Sequence, residues 1–344
     1  MSQHSELDAS PLPPWLGGIW SRLQGARELD RLAHALLICG PAGIGKRRLA
    51  DALARSLLCR SRDAAGYACG RCPDCRLLEA GNHPDLVRIG PDPDSKSREI
   101  SVGAVRAFSE HGSLTPSRSD WKVTLIDPAD RLNPSAANAL LKTLEEPSGQ
   151  SLMCLVAERL GQLPATIRSR CLQIAVPVPA EDEALAWLRD RLPDPGTDPL
   201  LPLRLAQGAP FRALDELDQE LFEQRRQRVA GFLAIASGRR DPVAEAALWN
   251  GQGAVRMLDW MSGWICDLLR LMAGGDAVRL TNPDQREVFM TLVQRLDPAA
   301  GHRFLGRLLE CRALADTNVN HLLMLESIAI EWFRVTRGGG PGRD

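Results

Sequence analysis

Short apolar runs alternate with amphipathic stretches along the first half of the chain. His34–Cys39 (HALLIC), Leu86–Ile89 (LVRI), Lys122–Asp127 (KVTLID), Leu152–Val156 and Leu172–Val176 are brief and rich in aliphatic and β-branched residues, which predicts buried strands. Between them, Trp15–Leu32, Arg48–Leu58, Ser101–His111 and a stretch opening at Pro134 repeat apolar residues at helical spacing. In the last of these, Ala137, Leu140, Leu141 and Leu144 share one face, Asn133 is the expected N-cap and Pro134 occupies the first helical position. Strands alternating with helices predict a parallel sheet covered on both faces. After Pro177 the strand pattern stops. Ala180–Arg191 and Pro202–Ala206 read as helices around a Pro/Gly/Asp-rich loop (PDPGTDP). From about Asp218 onward the chain is amphipathic throughout, with helices expected at Leu221–Ile235, Val243–Trp249, Ala254–Met272, Gln285–Leu296, Ala299–Ala315 and Val319–Val335. The expected organisation is an α/β domain over 1–177, a small helical domain over 178–217, an all-helical domain over 218–337 and a disordered tail over 338–344.

Composition narrows the class. The 344 residues are 44% hydrophobic and 25% charged, as in an ordinary globular protein. A net charge of −1 lacks the basic excess of a protein that binds DNA on its own. The amino terminus (MSQHSELDAS) is polar and unlike a signal peptide, and no apolar run reaches the roughly 18 residues of a membrane span, which predicts a cytoplasmic protein with no membrane partner. Nine cysteines, an odd number unevenly spaced, do not resemble a disulfide framework.

Gly40–Arg47 (GPAGIGKR) follows one expected strand and precedes a helix, the context that a phosphate-binding P-loop requires. Gly40, Gly43 and Gly45 would let backbone N–H groups wrap a phosphate, and Lys46 would reach the outer phosphates. The Ser/Thr hydroxyl that ligates Mg²⁺ in such loops is replaced by Arg47, which cannot ligate a cation. Asp127 stands where a P-loop ATPase keeps its metal-organising carboxylate. The next residue, Pro128, replaces the glutamate that would orient the attacking water. Two readings stay open for the loop: degenerate nucleotide binding, and a relic turn that keeps its glycines for geometry.

Cys59, Cys69, Cys72 and Cys75 follow the spacing C-x9-C-x2-C-x2-C within an irregular Gly-rich insertion. Four soft ligands on tight turns suit tetrahedral Zn²⁺, and a complete shell of four thiolates leaves no open position, so the role expected is structural. An iron–sulfur cluster and incidental thiols are the alternatives. Cys39, Cys154, Cys266 and Cys311 lie in apolar segments and are expected to be inert.

With HALLICGPAGIGK, the four-cysteine insertion, GNHPDL (Gly81–Leu86), IDPADRLNPSAANALLKTLEEP and LPATIRSRC (Leu163–Cys171) in view, the chain resembles the delta-prime family of bacterial DNA polymerase III clamp-loader subunits, which are AAA+ proteins. The resemblance spans essentially the whole chain. It implies a RecA-like AAA+ domain carrying the zinc insertion, a small helical lid and a C-terminal helical collar. It also implies a five-membered ring with the motor subunits (tau/gamma) and delta, and contact through that complex with the sliding clamp and primed DNA. Ser169-Arg170-Cys171 is similar to the family's SRC motif, whose arginine enters the neighbour's ATP site as a finger in trans; Arg168 ranks second. A polar sensor of active subunits should fall near Ala157–Glu158, where no Thr or Asn stands. A second sensor arginine should fall within Gly208–Leu214 (GAPFRAL), where Phe211 takes its place and Arg212 comes one residue late.

The expectation is therefore a non-hydrolysing subunit, a component of the polymerase III holoenzyme without polymerase chemistry of its own. Two other readings compete. An active AAA+ ATPase is favoured by Lys46 and Asp127 and opposed by Arg47 and Pro128. A zinc-dependent nucleic-acid binder is permitted by the four-cysteine insertion but disfavoured by the neutral net charge and an aromatic content of 5%.

Overall fold

The structure, a computed structural model, describes residues 11–93, 99–112, 116–147, 149–192, 198–215, 219–274, 278–315, 317 and 319–337. The expected tail, the polar amino terminus and the expected boundary at 217/218 lie outside the described residues. The chain divides into two compact units, Met1–Pro193 with Gly208–Arg212, and Asp194–Gln207 with Ala213–Asp344.

The first unit holds a five-stranded sheet of β1 (Ala35–Cys39), β2 (Leu86–Ile89), β3 (Lys122–Ile126), β4 (Ser151–Ala157) and β5 (Leu172–Ala175), in the order β2-β3-β4-β1-β5. Every pairing is parallel, with Ala35 opposite Met153 and Leu36 opposite Leu172. β1 and β3 are buried along their whole length, which is why they read as continuous apolar runs. β5 departs from expectation. It is an edge strand, and its apolar Leu172 is 56% exposed.

Helices of this unit are α1 (Pro14–Glu28), α2 (Lys46–Leu58), α3 (Pro73–Glu79), α4 (Val102–Gly112), α5 (Pro134–Glu145), α6 (Ala165–Arg168) and α7 (Glu181–Arg189). Asn133 caps α5 as expected, its side chain accepting from the Ala136 N–H at 2.8 Å. Under α5, Ala137, Leu140 and Leu144 join Leu37, Ile126 and Leu155 in one core. Helices α3 and α6 were not expected. Each spans two turns or fewer, too short for a periodic pattern to register.

α8 (Leu200–Leu205) lies in the second unit and α9 (Pro210–Asp215) begins in the first. The second unit continues with α10 (Gln219–Ala236), α11 (Pro242–Asn250), α12 (Ala254–Gly274), α13 (Arg286–Val293), α14 (Pro298–Leu314) and α15 (His321–Arg337). α15 runs beside α10, α11 and α14. Its Trp332 is fully buried and stacks on Phe232 of α10, ring centroids 4.2 Å apart, while its Nε1 donates to the Phe232 carbonyl at 2.9 Å. The buried Asp267 carboxylate pins the turn before α13, accepting from the N–H groups of Thr281 and Asn282 at 2.9 and 2.7 Å. No helix among the described residues is long and apolar enough to cross a membrane.

Replacing Trp332 tests this packing. Trp332→Phe keeps the stack and loses one buried hydrogen bond, an expected cost of about 1 kcal/mol. Trp332→Ala opens a cavity and should cost about 3–5 kcal/mol. Equal losses for the two variants in urea denaturation would contradict this assignment.

Candidate functional sites

The loop after β1 turns sharply into α2. Gly43 and Gly45 take φ of +73° and +93°, a region where a β-carbon is strained. Space forbids one as well. A β-carbon on Gly43 would lie 2.5 Å from the Arg212 β-carbon, and one on Gly45 would lie 2.9 Å from the Phe211 ring. The Phe211 N–H donates to the Gly43 carbonyl at 3.0 Å. Its ring joins Trp15 and Trp187 at centroid distances of 6.2 and 4.7 Å, and the Arg48 guanidinium lies 5.3 Å from it. So the residue found where a sensor arginine would stand packs onto the loop as an apolar plug.

Lys46 is buried, and its Nζ donates to the Pro41 carbonyl at 2.5 Å. Arg47 Nε lies 2.5 Å from Asp127 Oδ2, joining the start of α2 to the end of β3. A guanidinium therefore covers the carboxylate that would organise a metal shell. Between β3 and β1, β4 ends at the buried Ala157; the N–H of Glu158 donates to Asp130 Oδ1 at 3.1 Å. The loop glycines, Lys46 and Asp127 are thus brought together at the carboxyl ends of the strands, with Arg47 between the last two.

The four cysteines of the insertion also converge. All four Sγ atoms lie within 4.8 Å of one another, with Cys59–Cys72 at 3.9 Å and Cys69–Cys75 at 4.0 Å. A zinc tetrahedron with bonds of about 2.3 Å has edges of about 3.8 Å, so the cluster fits such an ion with little movement. Backbone N–H groups already point at the sulfurs: Cys69 to Cys59 at 3.3 Å, Cys72 to Cys69 and Cys75 to Cys72 at 3.4 Å. Donation from the Arg71 and Cys72 N–H groups lowers the Cys69 thiol to about 6. Burial pushes Cys59 and Cys75 up. At Cys72 burial opposes ionisation, but donation from the Cys75 N–H outweighs it and the pKa falls. Cys59, Cys69, Cys72 and Cys75 would hold the metal, which would supply a cross-link and no open position. The helix α3 starts inside the cluster, with Cys72 as its N-cap.

A second layer, which sequence reasoning missed, ties this loop to the sheet. Asp74 is fully buried; Arg60 Nε approaches its Oδ2 at 2.8 Å, Arg118 pairs with its Oδ1, and His83 Nε2 lies 3.6 Å away. Asp85, also fully buried, accepts from the N–H groups of Ser117, Arg118 and Ser119 at 2.6, 2.8 and 2.9 Å. Burial alone would raise its carboxyl pKa, but these donors hold it below the usual value. The GNHPDL segment thus braces the approach to β3. Its one legible signal was a pair of polar residues flanking an expected buried strand.

Arg170 follows α6. Its side chain is 35% exposed, its Nε donates to Glu145 Oε1 at 2.8 Å, and its Nη1 donates to the Thr166 carbonyl at 3.1 Å. The ion pair links the SRC segment to the end of α5 within one chain. Arg168 is partly buried, and its Nε lacks a hydrogen-bond partner among the described residues. Cys171 is a core residue, its thiol pushed up to about 11 by burial.

Cys72→Ser should release the metal and loosen the insertion while the helical unit stays folded. Zinc retained near one ion per chain would show the ligand set to be wrong. Asp85→Asn should destabilise the first unit by about 1–3 kcal/mol at neutral pH. Because the folded carboxyl pKa is depressed, its stabilisation is complete above the unfolded value and disappears as pH falls through the folded one. Urea titrations of wild type and variant should therefore converge toward acid; a constant gap would refute the brace.

Comparison with known proteins follows this geometry. A family profile described as DNA polymerase III, delta subunit, matches residues 17–179, and one described as DNA polymerase III, delta subunit, C terminal, matches residues 219–333. The chain is 37% identical over 334 residues to the DNA polymerase III subunit delta' of Pseudomonas aeruginosa, covering 96% of this chain and 98% of that protein. It is 31% identical over 319 residues to the subunit of the same name from Escherichia coli, covering 92% and 94%. It is also 38% identical over 155 residues to the DNA polymerase III subunit tau of Salmonella typhimurium, covering 45% of this chain and 23% of that protein. An AAA+ sheet with a four-cysteine insertion, followed by an all-helical unit and matched along nearly its full length, makes this chain a member of the DNA polymerase III delta-prime family.

Proposed function

We propose that this chain is a non-hydrolysing AAA+ subunit of the clamp loader, acting beside tau/gamma and delta in a five-membered ring in the cytoplasm. In this reading 178–217 serves as lid and 218–337 as collar. The observation that carries the reading is the Arg47–Asp127 contact. A monovalent, non-coordinating cation sits on the carboxylate where hydrolysis needs a divalent ion. Pro128 supplies neither a carboxylate nor an N–H donor, and Phe211 and Arg212 press on the loop glycines. Each of these removes one requirement of phosphoryl transfer, which depends on positioning and charge stabilisation.

Arg170 is the group this subunit would offer its neighbour. A finger in trans neutralises charge on the transferring phosphoryl group, an effect on the order of 10³–10⁵ in rate in GTPases. To act, Arg170 exchanges Glu145 for a phosphate, a stronger and bidentate acceptor. The structural zinc would hold the insertion folded. An active ATPase remains the competing assignment, because Lys46 and Asp127 are both present.

Steady-state ATP turnover of the reconstituted loader, with sliding clamp and primed DNA, tests both. With Arg170→Ala in a ring shown by gel filtration to assemble, the site it completes should slow by on the order of 10³-fold. The ring should lose that site's share of turnover. Unchanged turnover would refute the finger. Turnover by the purified chain at the rate of a motor subunit would overturn the non-hydrolysing assignment.

A further inference from the structure

An open cleft of about 760 Å³ lies at the amino-terminal edge of the sheet. Arg27 reaches it from the end of α1, Arg60 and Arg62 from the segment after α2, and Arg118 and Trp121 from the approach to β3; Gln150 precedes β4. The phosphate loop and Asp127 occupy the carboxyl ends of the strands, so the cleft is separate from the nucleotide site. Asp30 and Asp120 also contribute to its lining.

Four guanidinium groups converge here in a chain whose net charge is −1. Each is anchored at one edge. Arg60 and Arg118 hold Asp74, Arg27 Nη1 donates to Gln24 Oε1 and Ser56 Oγ at 2.9 and 3.0 Å, and Arg62 Nη1 donates to the Ser56 carbonyl at 3.3 Å. Neither Arg27 nor Arg62 is ion-paired with a carboxylate among the described residues. Burial, and then the Arg62 charge, hold the Arg27 pKa below the usual arginine value. Such crowding of like charges is relieved by an anion. Trp121, partly exposed on the same wall, adds a flat aromatic face.

We propose that this cleft binds a segment of single-stranded nucleic acid, its arginines taking the phosphates and Trp121 taking a base. Fixed guanidinium forks suit phosphate oxygens. An aromatic platform beside a basic groove is the arrangement that holds unpaired bases. A duplex would keep its base faces stacked away from Trp121, and an acidic peptide would leave the ring without a role. The inference stands on this cleft alone and is independent of the finger assignment.

Fluorescence anisotropy of a labelled oligothymidylate with the full-length chain, titrated across salt, tests it. Binding should weaken linearly in log salt. Arg62→Glu should reduce affinity about tenfold and flatten the salt slope, by about one unit for the charge removed. Arg62→Lys should retain most of the binding. Trp121→Ala should weaken affinity about tenfold without changing the slope. Unaltered zinc content and circular dichroism would establish that the variants fold. Absence of binding by the wild-type chain, or equal binding by Arg62→Glu, would overturn the proposal. So would labelled polyglutamate binding as tightly with the same dependence on Arg62, which would assign the cleft to an anionic peptide.

Discussion

Asp127 stands at the carboxyl end of β3, and a carboxylate there needs a positive charge beside it. In this chain Arg47 supplies that charge from the first turn of α2. The contact fixes the electrostatics of the whole loop. A guanidinium balances the carboxylate with donors arranged in a plane and offers no empty orbital to a water or a phosphate oxygen. Lys46 turns back to the Pro41 carbonyl, and Phe211 closes over Gly43 and Gly45. The loop keeps the backbone of a phosphate cradle because the strand-to-helix turn demands it, while its side chains satisfy one another.

Much of this was legible in the residue pattern. Fully buried β1 and β3 appear as unbroken apolar runs, and α5 announces itself through Asn133, Pro134 and the spacing of its leucines. The cysteine cluster was readable because its spacing alone constrains four ligands to one turn. What stayed hidden required contacts between distant segments. β5 has the composition of a buried strand yet lies at an edge, since composition does not tell a strand its place in the sheet. Phe211 was noticed only as a missing arginine; its seat against the loop depends on Trp15 and Trp187, far away in sequence. Arg170 was readable as a motif, but its pairing with Glu145 was not.

The two buried aspartates show the same limit more sharply. Nothing in the local sequence distinguishes Asp74 or Asp85 from a solvated acid. Each is buried because several donors converge on it, from segments 44 residues or about 32–34 residues away. Buried carboxylates survive only when so satisfied. The arginine-lined cleft belongs to the same category: its charges come from separate segments and cancel out in the overall composition.

Asp74 has a consequence for anyone who would cut this chain. It sits between two zinc ligands in sequence, yet its carboxylate anchors Arg118, whose own N–H is held by Asp85 at the threshold of β3. The cysteine loop is thus not an ornament that can be trimmed from a minimal domain. A shortened protein lacking residues 59–75 would leave Arg118 and His83 without their shared counter-ion. The strand carrying Asp127 would then start from a loosened footing. The insertion and the sheet form a single mechanical piece, and the metal's influence extends as far as the strand that ends at the phosphate loop.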